Sequence, residues 1–294
     1  MEPNKIYEMC YGQKDDIKNL FVSLTPSESK RLIAKAVSEM LVVKECMKKG
    51  KIAISTGSTT GFVVEELLRT KIEIKEFPCG VNSIGRTCMT NENRIGTIFI
   101  ENGKRINRND VKDEWYDSKI RFDTFGKHDL YIKGANAVDK DGNAGFLIAH
   151  STGGNLLLFA AQYSSKRISF IIPVGLEKLV TSVTEAARAM KGQNGYDYSF
   201  GRPCGFYVVT DAVIVTEIEA INILCGAKAV HVSSGGIGGS EGSVTLSVEG
   251  TDAQIKKLNN LLKSIKGEKP VENWKMDCSE CENWCDYPYI PESR

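Results

Sequence analysis

The sequence predicts an open, mostly parallel α/β sheet with flanking helices, followed by a small α+β unit. Three observations point there. Short apolar runs alternate with amphipathic stretches between residues 27 and 190. Two loops rich in Gly, Ser and Thr, at 55–60 and 151–154, join such runs to helices. After residue 205 the order becomes strand, helix, two strands, helix.

Residues 1–24 read as an irregular lead-in. Thr25 or Ser27 can cap a helix beside Pro26, and Leu32, Ile33, Ala36, Val37, Met40, Leu41 and Val43 recur at helical spacing. One amphipathic helix over 27–48 is expected, closed by Lys48, Lys49 and Gly50. Lys51–Ile54 is then a strand, 55–60 a loop, and Gly61–Leu68 a helix. Ile95–Ile100 alternates as a strand and turns at 101–104 into another. Asp129–Gly134, Ala144–Ile148 and Arg167–Pro173 are further strands. Asn155–Tyr163 and Glu185–Met190 belong to helices.

The Gly-rich, aromatic stretch Lys191–Gly205 breaks this pattern and marks a boundary. The expected division is an α/β ligand-binding domain over 1–195, a small α+β domain over 206–268, and a cysteine-containing tail over 269–294. In the small domain Phe206–Val215 reads as a strand and Glu217–Leu224 as a helix. Two strands, Ala227–Val232 and Ser243–Val248, follow. Asp252–Ile265 then places Ile255, Leu258, Leu261, Leu262 and Ile265 on one helix face. That order is ferredoxin-like.

Lys plus Arg number 38 against 37 Asp plus Glu, so the chain has no global electrostatic footprint for nucleic acid. No apolar run reaches the roughly 18 residues of a membrane span. The first sixteen residues lack the apolar core of a signal peptide, so a cytoplasmic protein is expected. Nine cysteines, an odd number, argue against a disulfide scaffold in that compartment.

Several residues carry chemistry. In Ser55-Thr-Gly-Ser-Thr-Thr60, helix-terminal amides suit a phosphate. Gly57 lets the backbone approach, while Thr56, Ser58, Thr59 and Thr60 offer hydroxyls. A capped strand-to-helix turn is the alternative reading, and no Gly-Lys-Ser/Thr follows to make it a Walker loop. Glu177 follows a strand and is a candidate acid. His150 precedes the second loop and is a candidate acid–base residue or a structural histidine. Glu101-Asn-Gly103 reads first as a hairpin turn. Ser233–Gly242 is either an anion-binding nest or a flexible connection. Cys278-x-x-Cys281-x-x-x-Cys285 lies in an acidic tail. Three such thiols can ligate zinc or an iron–sulfur cluster with a fourth ligand from elsewhere; a CxxC redox pair is the alternative.

Three stretches in order resemble ribose-5-phosphate isomerases and their wider group. That group includes sugar-phosphate deaminases, coenzyme A transferases and sugar-sensing regulators. Lys51–Thr60 resembles the isomerases' first strand and phosphate loop. Asp129-Leu-Tyr-Ile-Lys-Gly-Ala-Asn-Ala-Val-Asp139 is similar to their acidic stretch, and His150-Ser-Thr-Gly-Gly-Asn-Leu-Leu157 to their Gly-rich loop. The resemblance covers about residues 28–180. It implies a Rossmann-like sheet with a ligand crevice at the strands' carboxyl ends. Glu101-Asn-Gly103 is similar to the run holding the transferases' nucleophilic Glu, at a different spacing.

The departures decide the functional expectation. Lys133, Asn136 and Ala137 stand where the isomerases have acids, and only Asp139 remains. Ser151 or Thr152 replaces a lysine, and no Glu follows Gly153 and Gly154 in the apolar run 156–161. Ribose-5-phosphate isomerase activity is therefore rejected for want of a base, and Lys133 with Asn136 suits an anionic ligand. The resemblance implies an enzyme, isomerase- or transferase-like, on a phosphorylated or coenzyme A-linked small molecule. Glu177, His150 and Asp139 are its candidate catalytic residues, and Thr56–Thr60, Lys133, Asn136 and Ser151–Gly154 its ligand contacts. The alternatives are a non-catalytic ligand sensor and a metal or iron–sulfur redox protein using Cys278, Cys281 and Cys285. A homo-oligomer is expected, with neither nucleic acid nor membrane as partner.

Overall fold

Alternation along the central strands sends neighbouring residues into two different cores. The computed structural model describes residues 17–78, 81–83, 86–88, 95–106, 114–272 and 285. The first elements are β1 (Ile17–Leu24), α1 (Pro26–Glu39), α2 (Leu41–Lys49), β2 (Lys51–Ile54) and α3 (Ser58–Leu68). Next come β3 (Val81–Ser83), β4 (Arg86–Cys88), β5 (Ile98–Glu101), β6 (Lys104–Ile106), α4 (Glu114–Asp123) and β7 (Leu130–Ile132). Then follow β8 (Ala137–Val138), β9 (Ala144–Ile148), α5 (Gly154–Lys166), β10 (Ser169–Pro173), α6 (Val183–Ala189) and β11 (Gly205–Val209). The last are β12 (Val213–Val215), α7 (Glu217–Cys225), β13 (Lys228–Ser234), β14 (Val244–Thr251) and α8 (Asp252–Ile265).

The protein is a mixed α/β structure built on a six-stranded sheet of order β12-β10-β7-β2-β5-β6. Four adjacent strands, β12, β10, β7 and β2, are mutually parallel, while β5 pairs antiparallel with both β2 and β6. On one face Ile52, Ile54, Leu130, Ile132, Ile171 and Val215 enter a core with α1, α3 and α7. On the other, Ala53, Tyr131, Phe170 and Ile172 enter an aromatic core with Phe122 and Phe159 of α4 and α5. A period of two in each strand produces this division. A second antiparallel sheet, β1-β14-β13, packs its inner residues Leu24, Val244, Leu246 and Val248 into the first core with α8.

The structure differs from the sequence expectation at three places. Residues 17–24 are not irregular: β1 pairs with β14 over its whole length, Ile17 opposite Thr251 and Leu24 opposite Val244. The stretch 27–48 is two helices. Met40 adopts an extended backbone between α1 and α2, so Val43 and Cys46 turn inward while Leu41 stays 81% exposed. Phe206–Val215 splits as well. β11 joins β9, whereas β12 joins β10 at the edge of the large sheet, and β1 supplies the third strand of the small one. No helix among the described residues is long and apolar enough to cross a membrane.

Candidate functional site

Because β2, β7, β10 and β12 are parallel, the loops that leave them emerge on one edge, where open α/β sheets hold ligands. The loop after β2 enters α3 at Ser58, with Thr56, Gly57 and Ser58 half-buried. The first amides of an α-helix have no intrahelical acceptor, so this entry can take an anion. Thr60 plays another part: its buried hydroxyl donates to Ser55 O at 2.7 Å, with Gly57 O also within 3.0 Å, and so fixes the loop. Thr59 is 2% exposed, and its hydroxyl has no hydrogen-bond partner among the described residues.

The second predicted loop shares this edge. Asn155 donates from Nδ2 to Thr97 Oγ1 at 2.9 Å, and Thr97 precedes Ile98, which pairs with Ile54 at the end of β2. Gly153 and Gly154 take φ of 77° and 58°, so the chain turns into α5 through left-handed backbone. A Cβ on Gly153 would sit 2.1 Å from Leu157 Cδ1. Ser151, Thr152 and His150 are exposed. His150 Nδ1 accepts from Thr152 N at 3.2 Å, and its carbonyl accepts from Gly153 N, so His150 braces this turn.

Lys133, half-buried, follows β7 on the same edge, its amide bonded to Ile171 O at 3.2 Å. Asn136 is exposed and bound to the β8–β9 hairpin: its Oδ1 accepts from Leu147 N and its backbone N–H donates to Gly145 O. Asp139 is occupied too. Its carboxylate accepts from Asp141 N, Asn143 N, Asn143 Nδ2 and Val183 N. Burial raises its proton affinity, but these donors outweigh it and hold the carboxyl below its ordinary range. It clamps a turn, with little capacity left for a ligand.

Glu177 sits just past β10, and the structure surrounds it with three charged residues not singled out in the sequence. Lys30 Nζ of α1 lies 3.3 Å from Glu177 Oε1, both side chains being mostly buried. Lys178 donates from Nζ to Ala135 O at 3.1 Å, reaching the loop after β7. Glu217, at the first turn of α7 beyond β12, is fully buried, and its Oε2 accepts from Leu176 N at 2.9 Å. Burial pushes the Glu217 carboxyl up, and the charge of Glu177 adds to that. Burial pulls the Lys178 ammonium down. Groups displaced in this way gather at functional sites. Ser29 weighs on the ionisation of Glu217, yet neither Ser29 Oγ nor Glu217 Oε1 completes a hydrogen bond with a described residue. The glycine-rich connection before β14 closes over Glu177: a Cβ on Gly242 would lie 3.3 Å from Glu177 Oε2 and 3.4 Å from Pro26.

Sequence alone passes over Glu217 because an acid in a first helical turn reads as ordinary cap chemistry, and over Lys30 because a lysine on an amphipathic helix reads as a solvated surface residue. A groove of about 350 Å³ runs between α4 and α5, lined by Phe122, Leu157, Leu158 and Ala161 with Lys119, Asp123, Thr152 and Gln162 at its polar positions. Of the tail cysteines, Cys278 and Cys281 lie outside the described residues, while Cys285 is half-buried with a free thiol. Among the described residues no three His, Cys, Asp or Glu side chains gather to hold a metal. No family model matches this chain, and a search of curated proteins returns no match.

Proposed function

We propose that the protein is an enzyme acting on a phosphorylated or coenzyme A-linked small molecule held at the carboxyl edge of β2, β7, β10 and β12. We place its parallel half with the isomerase and transferase-like group and its small sheet with ferredoxin-like units. The observation that carries the reading is the sharing of one sheet edge by a helix entry with half-buried Thr56, Gly57 and Ser58 and a largely buried acid–base set around Glu177. Neighbouring strands lie about 4.8 Å apart, so the loops after β2 and β10 are two spacings, or about 10 Å, apart. A small phosphorylated molecule has that reach. The anionic group sits against Gly57 and Ser58 near Lys133, and its other end faces Glu177. Charge on Lys133 favours such an anion where a carboxylate would repel it.

Phosphorylated sugars or coenzyme A should raise the melting temperature. At a hundredfold excess over Kd the native state gains about 2.7 kcal/mol, worth about 5 °C or more in a chain of this size. Lys133→Ala should shrink the shift. Scanning calorimetry with ribose 5-phosphate, fructose 6-phosphate and coenzyme A makes the test; no shift with any of them removes this function. A shift without turnover moves the protein to the sensor reading. For the tail, we propose that Cys278, Cys281 and Cys285 hold zinc or an iron–sulfur cluster, since crowded thiolates in an acidic segment need a cation. Anaerobically purified protein should contain metal that a Cys281→Ser variant lacks. Equal trace metal in both would leave ordinary thiols.

A further inference from the structure

The charged cluster beneath Gly242 is a second feature of this edge, and its composition asks for a proton. Glu217 carries a fully buried carboxyl with one oxygen bound to Leu176 N and the other without a partner among the described residues. Ser29 Oγ, 1% exposed, likewise lacks one. A buried carboxylate with an unsatisfied oxygen is costly, whereas a neutral carboxyl can donate its proton to a hydroxyl. Every element packed on Glu217 contributes to its field. The loop after β10 brings Glu177 and Lys178; α1 brings Lys30 and Ser29; on its own helix Glu219 is taken up in the cap with Thr216. Lys178 then extends the cluster sideways, through its bond to Ala135 O, into the loop that carries Lys133.

We propose that Glu217, Glu177 and Lys178 form a proton-exchange site coupled to the anion site, so that the protein takes up a proton as it binds an anion. This rests on the reading of the carboxyl edge as an anion site. Glu217 is the positioning residue and proton store of the cluster. An anion arriving beside Lys133 adds negative charge to an edge that already holds two carboxylates. That field favours the protonated forms of Glu217 and Lys178 over their deprotonated ones. The proton comes from solvent, and no bond other than O–H or N–H forms or breaks. Linkage fixes the sign: binding that takes up protons tightens as pH falls. With up to one proton taken up, affinity weakens by at most about tenfold for each unit of pH rise.

The probe is sulfate, which does not itself titrate near neutrality. Calorimetric titration of the full chain at pH 7.5, in buffers of different ionisation enthalpy, reads the number of protons exchanged. Wild type should take up a fraction of a proton to roughly one proton per sulfate. Glu217→Gln keeps an acceptor for Leu176 N and should bind sulfate with proton uptake reduced at least by half. Infrared spectroscopy adds a second readout: a neutral carboxyl band that grows in wild type as pH falls and as sulfate binds, and that Glu217→Gln lacks. Sulfate binding without proton uptake, or uptake unchanged in Glu217→Gln, overturns the coupling and leaves the anion site standing. Absence of sulfate binding removes both.

Discussion

Replacing Arg31 by Ala should cost the fold about 3–5 kcal/mol, the usual result of removing one partner from a buried ion pair. Arg31 of α1 is 5% exposed and holds three acids at once. Nη2 meets Glu65 at 2.6 Å, Nη1 meets Glu66 at 2.9 Å, and Nε meets Glu268 at 2.7 Å. The guanidinium also lies 4.4 Å over the Phe62 ring. These contacts tie α1 to α3 and to the chain just past α8. The truncated variant leaves Glu65, 6% exposed in its side chain, facing Glu66 with only Lys71 and Lys35 to offset them. Arg31→Lys should recover little, because one ammonium cannot serve three carboxylates in a fork. Urea unfolding reads the loss, and a cost under about 1 kcal/mol would mean that solvent takes over the network.

The same network sets the acid limit of the fold. Burial raises the proton affinity of Glu65, but hydrogen bonds from Arg31, Lys71 and Ile72 N outweigh it, so its carboxyl sits below the ordinary 4.5. Glu28 behaves alike through Gly267 N, Lys266 and Thr25 N. Both folded values are depressed. Their stabilisation is therefore present above pH 4.5 and drains away as pH falls through the folded values. Glu217 has the opposite sign. Its folded value is raised, so its cost to the fold is absent at low pH and appears as pH rises through that value. Glu217→Gln should thus flatten the fall in stability that wild type shows as pH rises through that value.

What the sequence makes legible follows from how local each signal is. Lys51–Ile54, Asp129–Gly134 and Arg167–Pro173 show as strands because burial on both faces leaves continuous apolar runs. Asn102-Gly103 announces its hairpin, and takes φ of 50° and 76° to do so. β1 does not announce itself: its inward residues Val22 and Leu24 follow a polar start, and its partner β14 lies at the far end of the chain. The break at Met40 carries neither Gly nor Pro, so periodicity alone runs α1 into α2. At the site, Thr60 has the residue type of a phosphate contact, yet its hydroxyl turns back to Ser55 O. Asp139 has the type of a catalytic acid, yet four donors occupy it. Residue type proposes a role, and the partners that tertiary structure supplies then decide it.

Phe159→Ala should be as costly as the loss of Arg31, on the opposite face of the sheet. Phe159 of α5 is fully buried. Its ring centroid lies 3.8 Å from Tyr131 of β7, 5.5 Å from Phe122 of α4 and 5.5 Å from Phe170 of β10. Removing the ring opens a cavity that three other rings cannot fill together, and such truncations cost about 3–5 kcal/mol. Phe159→Leu keeps most of the volume and should cost much less. The consequence for the site differs from that of Arg31. α5 begins at Gly154, so Phe159 anchors the helix that presents Ser151–Gly154 to the edge, whereas Glu177, Lys178 and Glu217 stand on the other core's side with α1 and α7. A folded Phe159→Ala protein should therefore lose ligand-induced stabilisation while keeping the neutral carboxyl band of Glu217. Urea unfolding and infrared spectra on the same sample separate the two. If the Glu217 band vanishes along with ligand stabilisation, the two faces of the sheet are coupled more tightly than their separate cores imply.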